Sequence, residues 1–214
     1  MTFLRQTAVA FAALMLAAAP TLAPTVAAAA SASSLTPDQQ ALVKRAGSYI
    51  EALKTVRSRF TQIDGNGVTS TGTLYLDRPG KARFEYDPPA SLLVVSDGFN
   101  VEVFDRRLKT YSLYPFERTP LVLLLARHVR LDRGVVITDV EQVPGGFVIN
   151  ARDGHKQAEG KISMRFSDVG GAGGTVGLRG WTIVDATGRE TRVQLGALTP
   201  IDHLDANLFN IRSH

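Results

Sequence analysis

The chain of 214 residues contains no cysteine. That absence excludes disulfides, thiolate-bound zinc, iron–sulfur clusters, a cysteine nucleophile and lipidation on cysteine. Histidine is sparse: His128, His155, His203 and His214 are the only four. None stands in a metal spacing such as H-x-x-x-H or H-E-x-x-H. The G-x-S-x-G elbow of serine hydrolases is missing. The run Gly170-Gly171-Ala172-Gly173-Gly174 fits neither G-x-G-x-x-G nor a Gly-Lys-Ser/Thr phosphate loop, and reads as a hairpin loop. No enzyme, metal site or cofactor is expected from this inventory. Charge of one sign is also scarce. The net charge is +4, which is too small for a nucleic-acid surface.

The first thirty residues carry one charge, Arg5, ahead of an apolar, alanine-rich run and a small-residue end at Ala27–Ala32. A positive start, an apolar stretch and an A-x-A-like end describe a secretory signal peptide. Pro20 and Pro24 break the run, which falls short of the ~20 residues of a membrane span. Residues 1–32 are therefore read as a signal, cleaved near Ala30 or Ala32, and residues 33–214 as one domain. No later stretch is long enough to cross a bilayer. The expected location is outside the cytoplasm.

Thr36-Pro37-Asp38-Gln39 is a helix start: a cap, a proline at the first helical position and the Gln of a capping box. Leu42, Ala46, Tyr49, Ile50 and Leu53 then recur at helical spacing. Further on, the period changes to two. Leu74 and Leu76, then Ala82, Phe84 and Tyr86, alternate with polar residues, Leu92–Val95 is a continuous apolar run, and Val101 and Val103 follow the turn signal Asp97-Gly98. More alternating segments occur at Tyr111–Leu113, 135–143, 147–151, 162–166, 178–184 and 192–198. About ten or eleven short strands with turns every 8–12 residues imply a mainly antiparallel sheet, barrel or sandwich with a helical minority.

Two features interrupt the pattern. Thr119-Pro120 opens a segment that is apolar on every side through Ala126. It reads as a short, buried helix, with a strand as the alternative. Arg78 follows Leu74 and Leu76 at the same parity. On an unbroken strand it points to the apolar face, where its donors need acceptors such as free helix carbonyls. If the strand ends at Asp77, Arg78 points to water.

Several stretches taken together resemble a known family. They are Arg59-Phe60-Thr61-Gln62, Gly72 through Lys81, Arg83-Phe84-Glu85-Tyr86, Val95-Ser96-Asp97-Gly98 and Thr119-Pro120-Leu121. In order and spacing they are similar to the periplasmic outer-membrane lipoprotein carrier family, LolA-like. The resemblance implies an α+β fold, mainly antiparallel β: an incomplete, open barrel with a helical lid over a hydrophobic cavity. It implies a soluble, monomeric periplasmic chaperone that accepts acylated lipoproteins from an inner-membrane ABC transporter. Delivery would be to an outer-membrane lipoprotein acceptor. It places the lid latch at Arg78. On this reading Leu74, Leu76, Phe84 and Tyr86 line the cavity, with Leu93, Val95, Val101 and Val103 beside them, and Leu121, Leu124 and Leu125 face it from the lid. The same fold carrying another amphiphile, or sensing lipoproteins as a regulator, is the alternative.

Overall fold

The computed structural model describes residues 35–127, 135–154, 160–169, 174–185 and 187–211. The signal-peptide segment, His128, His155, His214 and most of the Gly170–Gly174 loop lie outside the described residues. Helix α1 spans Pro37–Ala52 and opens with the expected capping box. The Thr36 hydroxyl accepts from the Gln39 N–H at 3.2 Å, and the Gln39 side chain accepts from the Thr36 N–H at 2.9 Å. Pro37 has no N–H to leave unpaired, and two of the three remaining orphan donors of the first turn are satisfied reciprocally.

Six strands follow: β1 (Thr55–Ile63), β2 (Thr69–Asp77), β3 (Lys81–Tyr86), β4 (Leu92–Asp97), β5 (Asn100–Asp105) and β6 (Thr110–Pro115). A 3₁₀ turn at Phe116–Arg118 and the short helix α2 (Val122–Leu125) lead to β7 (Val135–Val143), β8 (Gly146–Asp153) and β9 (Lys161–Val169). The chain continues through β10 (Thr175–Val184), β11 (Glu190–Leu195) and β12 (Thr199–Pro200) to a second 3₁₀ turn at Ala206–Phe209. The strands form one sheet in the order β6-β5-β4-β3-β2-β1-β11-β10-β9-β8-β7, with β12 paired to β1. Every pairing is antiparallel. Among the described residues β6 and β7 do not pair with each other, so the sheet is open, and the α2 segment connects its two edges.

Strand β1 sits at the centre of the sheet although alternation alone does not single it out. On its core-facing side Val56 and Phe60 are separated by Ser58, all three buried. A polar residue in that position blurs the period-two signal.

One large core covers one face of the sheet. Helix α1 contributes Leu42, Val43, Ala46 and Ile50, and α2 contributes Leu123, Leu124 and Leu125. They meet Leu74, Leu76 and Phe84 from one half of the sheet and Phe147, Met164, Phe166 and Trp181 from the other. Edge-to-face pairs run through the middle: Phe60 with Phe84 at 5.5 Å, Phe60 with Tyr86 at 5.1 Å and Phe84 with Trp181 at 6.2 Å. Phe147 stacks on Phe166 at 5.2 Å. A smaller cluster of Leu93, Val95, Phe209 and Ile211 forms separately, with Phe104, Leu204 and Leu208 packed against it. It lies on the opposite face, under the C-terminal turn. There the fully buried Arg83 donates to Glu85 and to the Leu208 carbonyl, tying the turn down.

The α2 segment departs from its expected start. Helical geometry begins at Val122, and Thr119 caps none of it. Its hydroxyl donates to the Phe116 carbonyl at 2.8 Å instead. The preceding 3₁₀ turn takes that side chain, and the helix is left with a single turn. Phe147→Ala removes a ring that is 1% exposed and stacked. It should lower stability by about 3–5 kcal/mol in a urea titration.

Candidate functional site

The turn between β2 and β3 joins the elements that cover the core face. Arg78 donates through one guanidinium nitrogen to the Ile50 carbonyl in the last turn of α1. Through the other it donates to the Ala126 carbonyl at the end of α2, at 2.7 Å. Two residues on, the Gly80 N–H donates to the Leu125 carbonyl at 2.7 Å. The last carbonyls of a helix have no partners within it and attract a cation. Helix α1 has no basic residue in its last turn, so Arg78 supplies that charge from another element. Hydrogen bonds to charged groups contribute roughly 1.5–3 kcal/mol each.

The guanidinium is held at some cost. Burial pushes its pKa below the ordinary arginine value, and the nearby Glu51 charge opposes that shift. Among the described residues its buried Nε has no hydrogen-bond partner. A buried donor left unsatisfied disfavours the closed arrangement by about 1–3 kcal/mol. The arrangement therefore contains both strong bonds and a defect, so the contact between the turn and the two helices is less stable than the bond count suggests.

The turn itself is fixed. Gly80 has φ +78°, and a Cβ there would sit 2.7 Å from the Gly98 Cα of the β4–β5 turn. Its carbonyl accepts from the buried Ser96 hydroxyl at 2.6 Å. Only glycine permits both the left-handed backbone and that approach.

Helix α1 has a second polar tie. Arg45 makes a two-pronged pair with Asp168 at 2.8 and 2.6 Å and also donates to the Gly174 carbonyl at 3.1 Å. Its guanidinium hydrogen-bonds to the Asp168 carboxyl and holds it below the usual carboxylate range. On either side of this bridge lie hollows of about 560 and 400 Å³ between α1 and the sheet. The partners stand 123 positions apart in the chain, so no local pattern announces the pair.

The residues singled out from sequence fall on two faces. Leu74, Leu76, Phe84, Val101, Leu124 and Leu125 meet in the large core, and Tyr86 and Leu121 pack against it. Val103 is half-buried and pairs with Val94, which also packs on that core. Leu93 and Val95 do not join them: they belong to the cluster on the opposite face. In the run Leu92–Val95 both faces are apolar, so the pattern has no parity to read; the register with β3 decides it, placing Val94 opposite Phe84 and Val95 opposite Arg83. The alternation also names no residue from the second half of the chain, where Trp181, Met164 and Phe166 line the same face. Their strands were legible, but which side of each faces the helices was not. Among the described residues no cluster of three or more metal-ligating side chains occurs. No helix there is long and apolar enough to cross a membrane.

Residues 51–212 match the profile of the family described as outer membrane lipoprotein carrier protein LolA. The chain belongs to the LolA family. An outer-membrane lipoprotein carrier protein of Methylococcus capsulatus is 30% identical over 174 residues, 77% of this chain and 80% of that protein. One of Pseudomonas paraeruginosa is 31% identical over 122 residues, 53% of this chain, and the match spans 57% of that relative's length. Among solved structures, a LolA superfamily protein from Nitrosomonas europaea aligns at a TM-score of 0.45 with 9% identity. That alignment covers 84% of this chain and all of that one.

Arg78→Leu should speed amide exchange at Leu125 and Ala126 by about tenfold or more, since one charged hydrogen bond is worth at least that. Exchange in β8 and β9 should stay unchanged. A separate expectation concerns Tyr86, whose hydroxyl donates to Gln62 at 2.7 Å. Burial raises its pKa from 10.0 to about 12. Between those values the unfolded chain loses a proton that the folded one keeps, so stability falls as pH rises through that window. Tyr86→Phe should flatten this part of the pH–stability curve measured by urea titration.

Proposed function

We propose that this member of the lipoprotein carrier family is a periplasmic chaperone, reached by cleavage of residues 1–32, that shields the acyl chains of lipoproteins in transit. The observation that carries the reading is an apolar sheet face covered by two helices that Arg78 ties together through their terminal carbonyls. A face of this kind suits a hydrocarbon cargo when its cover can be displaced. Leu74, Leu76, Phe84 and Trp181 would then meet the acyl chains, with Leu124 and Leu125 displaced from them.

The physical argument concerns release as much as binding. An acyl chain gains about 0.8 kcal/mol per buried CH₂, so a rigid, open cavity would hold several chains too tightly to deliver them. Entry of cargo breaks the Arg78 bonds and expels the α2 leucines, which offsets part of that gain. The complex is left weak enough for transfer. The chain needs no catalytic group for this. An inner-membrane ABC transporter would supply the energy for loading, and an outer-membrane acceptor would take the cargo.

The test is release from spheroplasts that display a newly made, outer-membrane-destined lipoprotein and its transporter. The purified protein should yield a soluble one-to-one complex. Arg78→Leu should still load but hand over to acceptor membranes poorly. If the folded wild-type protein releases nothing, or carries only a different amphiphile on lipid extraction, the lipoprotein reading is wrong.

A further inference from the structure

One corner of the apolar sheet face is polar. On the core-facing side of β1, Val56, Ser58 and Phe60 are buried, and Gln62 follows at the same parity, half-buried. Its register partner on β2 is Ser70, also half-buried, which shares a side with the core residues Leu74 and Leu76. On β3 the side that carries Ala82 and Phe84 ends in Tyr86. Gln62, Ser70 and Tyr86 thus occupy one end of these three strands, and Arg78 stands at the other. Between them, from Ser70 to Leu76, β2 rises roughly 20 Å.

A glycine brings the pieces together. Register pairs Gly72 with both Phe60 and Tyr86. A Cβ there would come within 2.6 Å of the Phe60 ring, so the two rings meet over the glycine, edge to face at 5.1 Å. That contact holds the Tyr86 hydroxyl where it donates to the Gln62 side-chain oxygen at 2.7 Å. The pair is satisfied on one side only. Tyr86 has used its single donor, whereas among the described residues the Gln62 amide N–H₂ and the Ser70 hydroxyl make no hydrogen bond. The buried Ser58 differs, since its hydroxyl donates to the neighbouring Arg59 carbonyl at 2.8 Å. Polar groups drawn onto an apolar face are costly unless they are bonded. An apolar pair at Gln62 and Tyr86 would complete the core more simply.

The corner is also neutral. Asp64, two residues beyond Gln62, is taken up by its own turn and accepts from the Asn66 and Val68 N–H groups at 2.9 Å each. On the neighbouring strand β11, Gln62 faces Val193, so Arg192 lies on the other side of the sheet, where it donates to Glu190 at 2.8 Å. Uncharged donors with no cation beside them suit a neutral acceptor such as a carbonyl oxygen. A phosphate calls instead for Arg, Lys or a helix N-terminus.

We propose that Gln62, oriented by Tyr86 and flanked by Ser70, is a subsite for the ester carbonyls of an acylated glycerol. The acyl chains run from that polar joint along Phe84, Leu74 and Leu76 toward Arg78. Gln62 donates through its amide. Tyr86 is a positioning residue: it engages the amide oxygen and leaves the N–H₂ to the ligand. This inference rests on the carrier reading and deepens it, because the cargo is held at its linkage as well as by its hydrocarbon. A few placed polar groups on an otherwise apolar surface fix the orientation of a ligand. Here they set how far the chains reach toward the end where Arg78 holds α1 and α2.

The test titrates the purified protein with a peptide carrying an S-(dipalmitoylglyceryl)-cysteine and with its dihexadecyl ether analogue, which has chains of the same length and no carbonyls at the joint. Emission of Trp181, the only tryptophan in the chain and a ring in contact with Phe84, reads binding. The wild type should prefer the ester by about tenfold, roughly 1.4 kcal/mol. Gln62→Met should abolish that preference. Gln62→Glu, which keeps an acceptor for Tyr86 and has no amide donor, should do the same, and it tests the proposal even if Gln62→Met fails to fold. Tyr86→Phe should reduce the preference without abolishing it, since an amide remains to donate. Thr61→Val, on the other side of β1, should keep it. Equal binding of ester and ether by the wild type, or a preference that survives both Gln62 variants, overturns the subsite and leaves the carrier reading standing. Binding of free dipalmitoylglycerol with the same Gln62 dependence, but not of the lipopeptide, supports the subsite and overturns the lipoprotein reading. Binding of none of the three lipids overturns both.

Discussion

Everything in this protein is arranged around a sheet face too apolar to be left in water. Eleven strands side by side present it, with β12 paired to β1, and its two halves meet across it only where rings such as Phe84 and Trp181 touch. Two helices therefore cover it, one amphipathic and one apolar on every side. Burial of each large side chain contributes roughly 1.5–3 kcal/mol, so the cover is strongly favoured without cargo. The two helices and the sheet face thus stabilise one another through one shared apolar surface.

Polar contacts decide how that cover is held. Arg78 reaches the ends of both helices from one turn, whereas Arg45 and Asp168 tie only α1, and to the far half of the sheet. Losing the Arg78 contacts would leave α1 clasped at its middle, while α2 would keep the Gly80 bond and its leucines. The two helices are therefore unequal parts of the cover. The short one depends on the β2–β3 turn, and the long one has an anchor elsewhere. Among the described residues the Arg78 Nε lacks a partner, so this contact is weaker than its two charged hydrogen bonds alone would make it.

The opposite face follows a separate logic. Its small cluster is closed by the C-terminal 3₁₀ turn, with Arg83 holding the Leu208 carbonyl and the Lys81 ammonium 5.6 Å from the Phe209 ring. This is a conventional, well-satisfied contact with no orphaned donor at Arg83. The contrast with Arg78 separates an arginine that finishes a core from one that bridges the ends of two helices.

Local chemistry alone determined a good deal. The capping box at Thr36–Gln39, the strand alternation and the glycine-rich turns are short-range effects, and each was legible in the residues. Parity also put Arg78 on the apolar side, though the proline and glycine after it left a solvent-facing arginine equally open. The family resemblance rested on that stretch together with Arg59–Gln62, Arg83–Tyr86, Val95–Gly98 and Thr119–Leu121. What the tertiary structure decided were matters of pairing. Leu93 and Val95 look like their neighbours along the chain, and only the register with β3 sends them to the other face. Ser58 hides a central strand because a buried polar residue breaks the pattern by which strands are found. The Arg45–Asp168 bridge joins residues far apart in the chain. Periodicity reports which residues share a side of one element; it carries no information about what lies across from them, because that depends on contacts made only when the chain has folded.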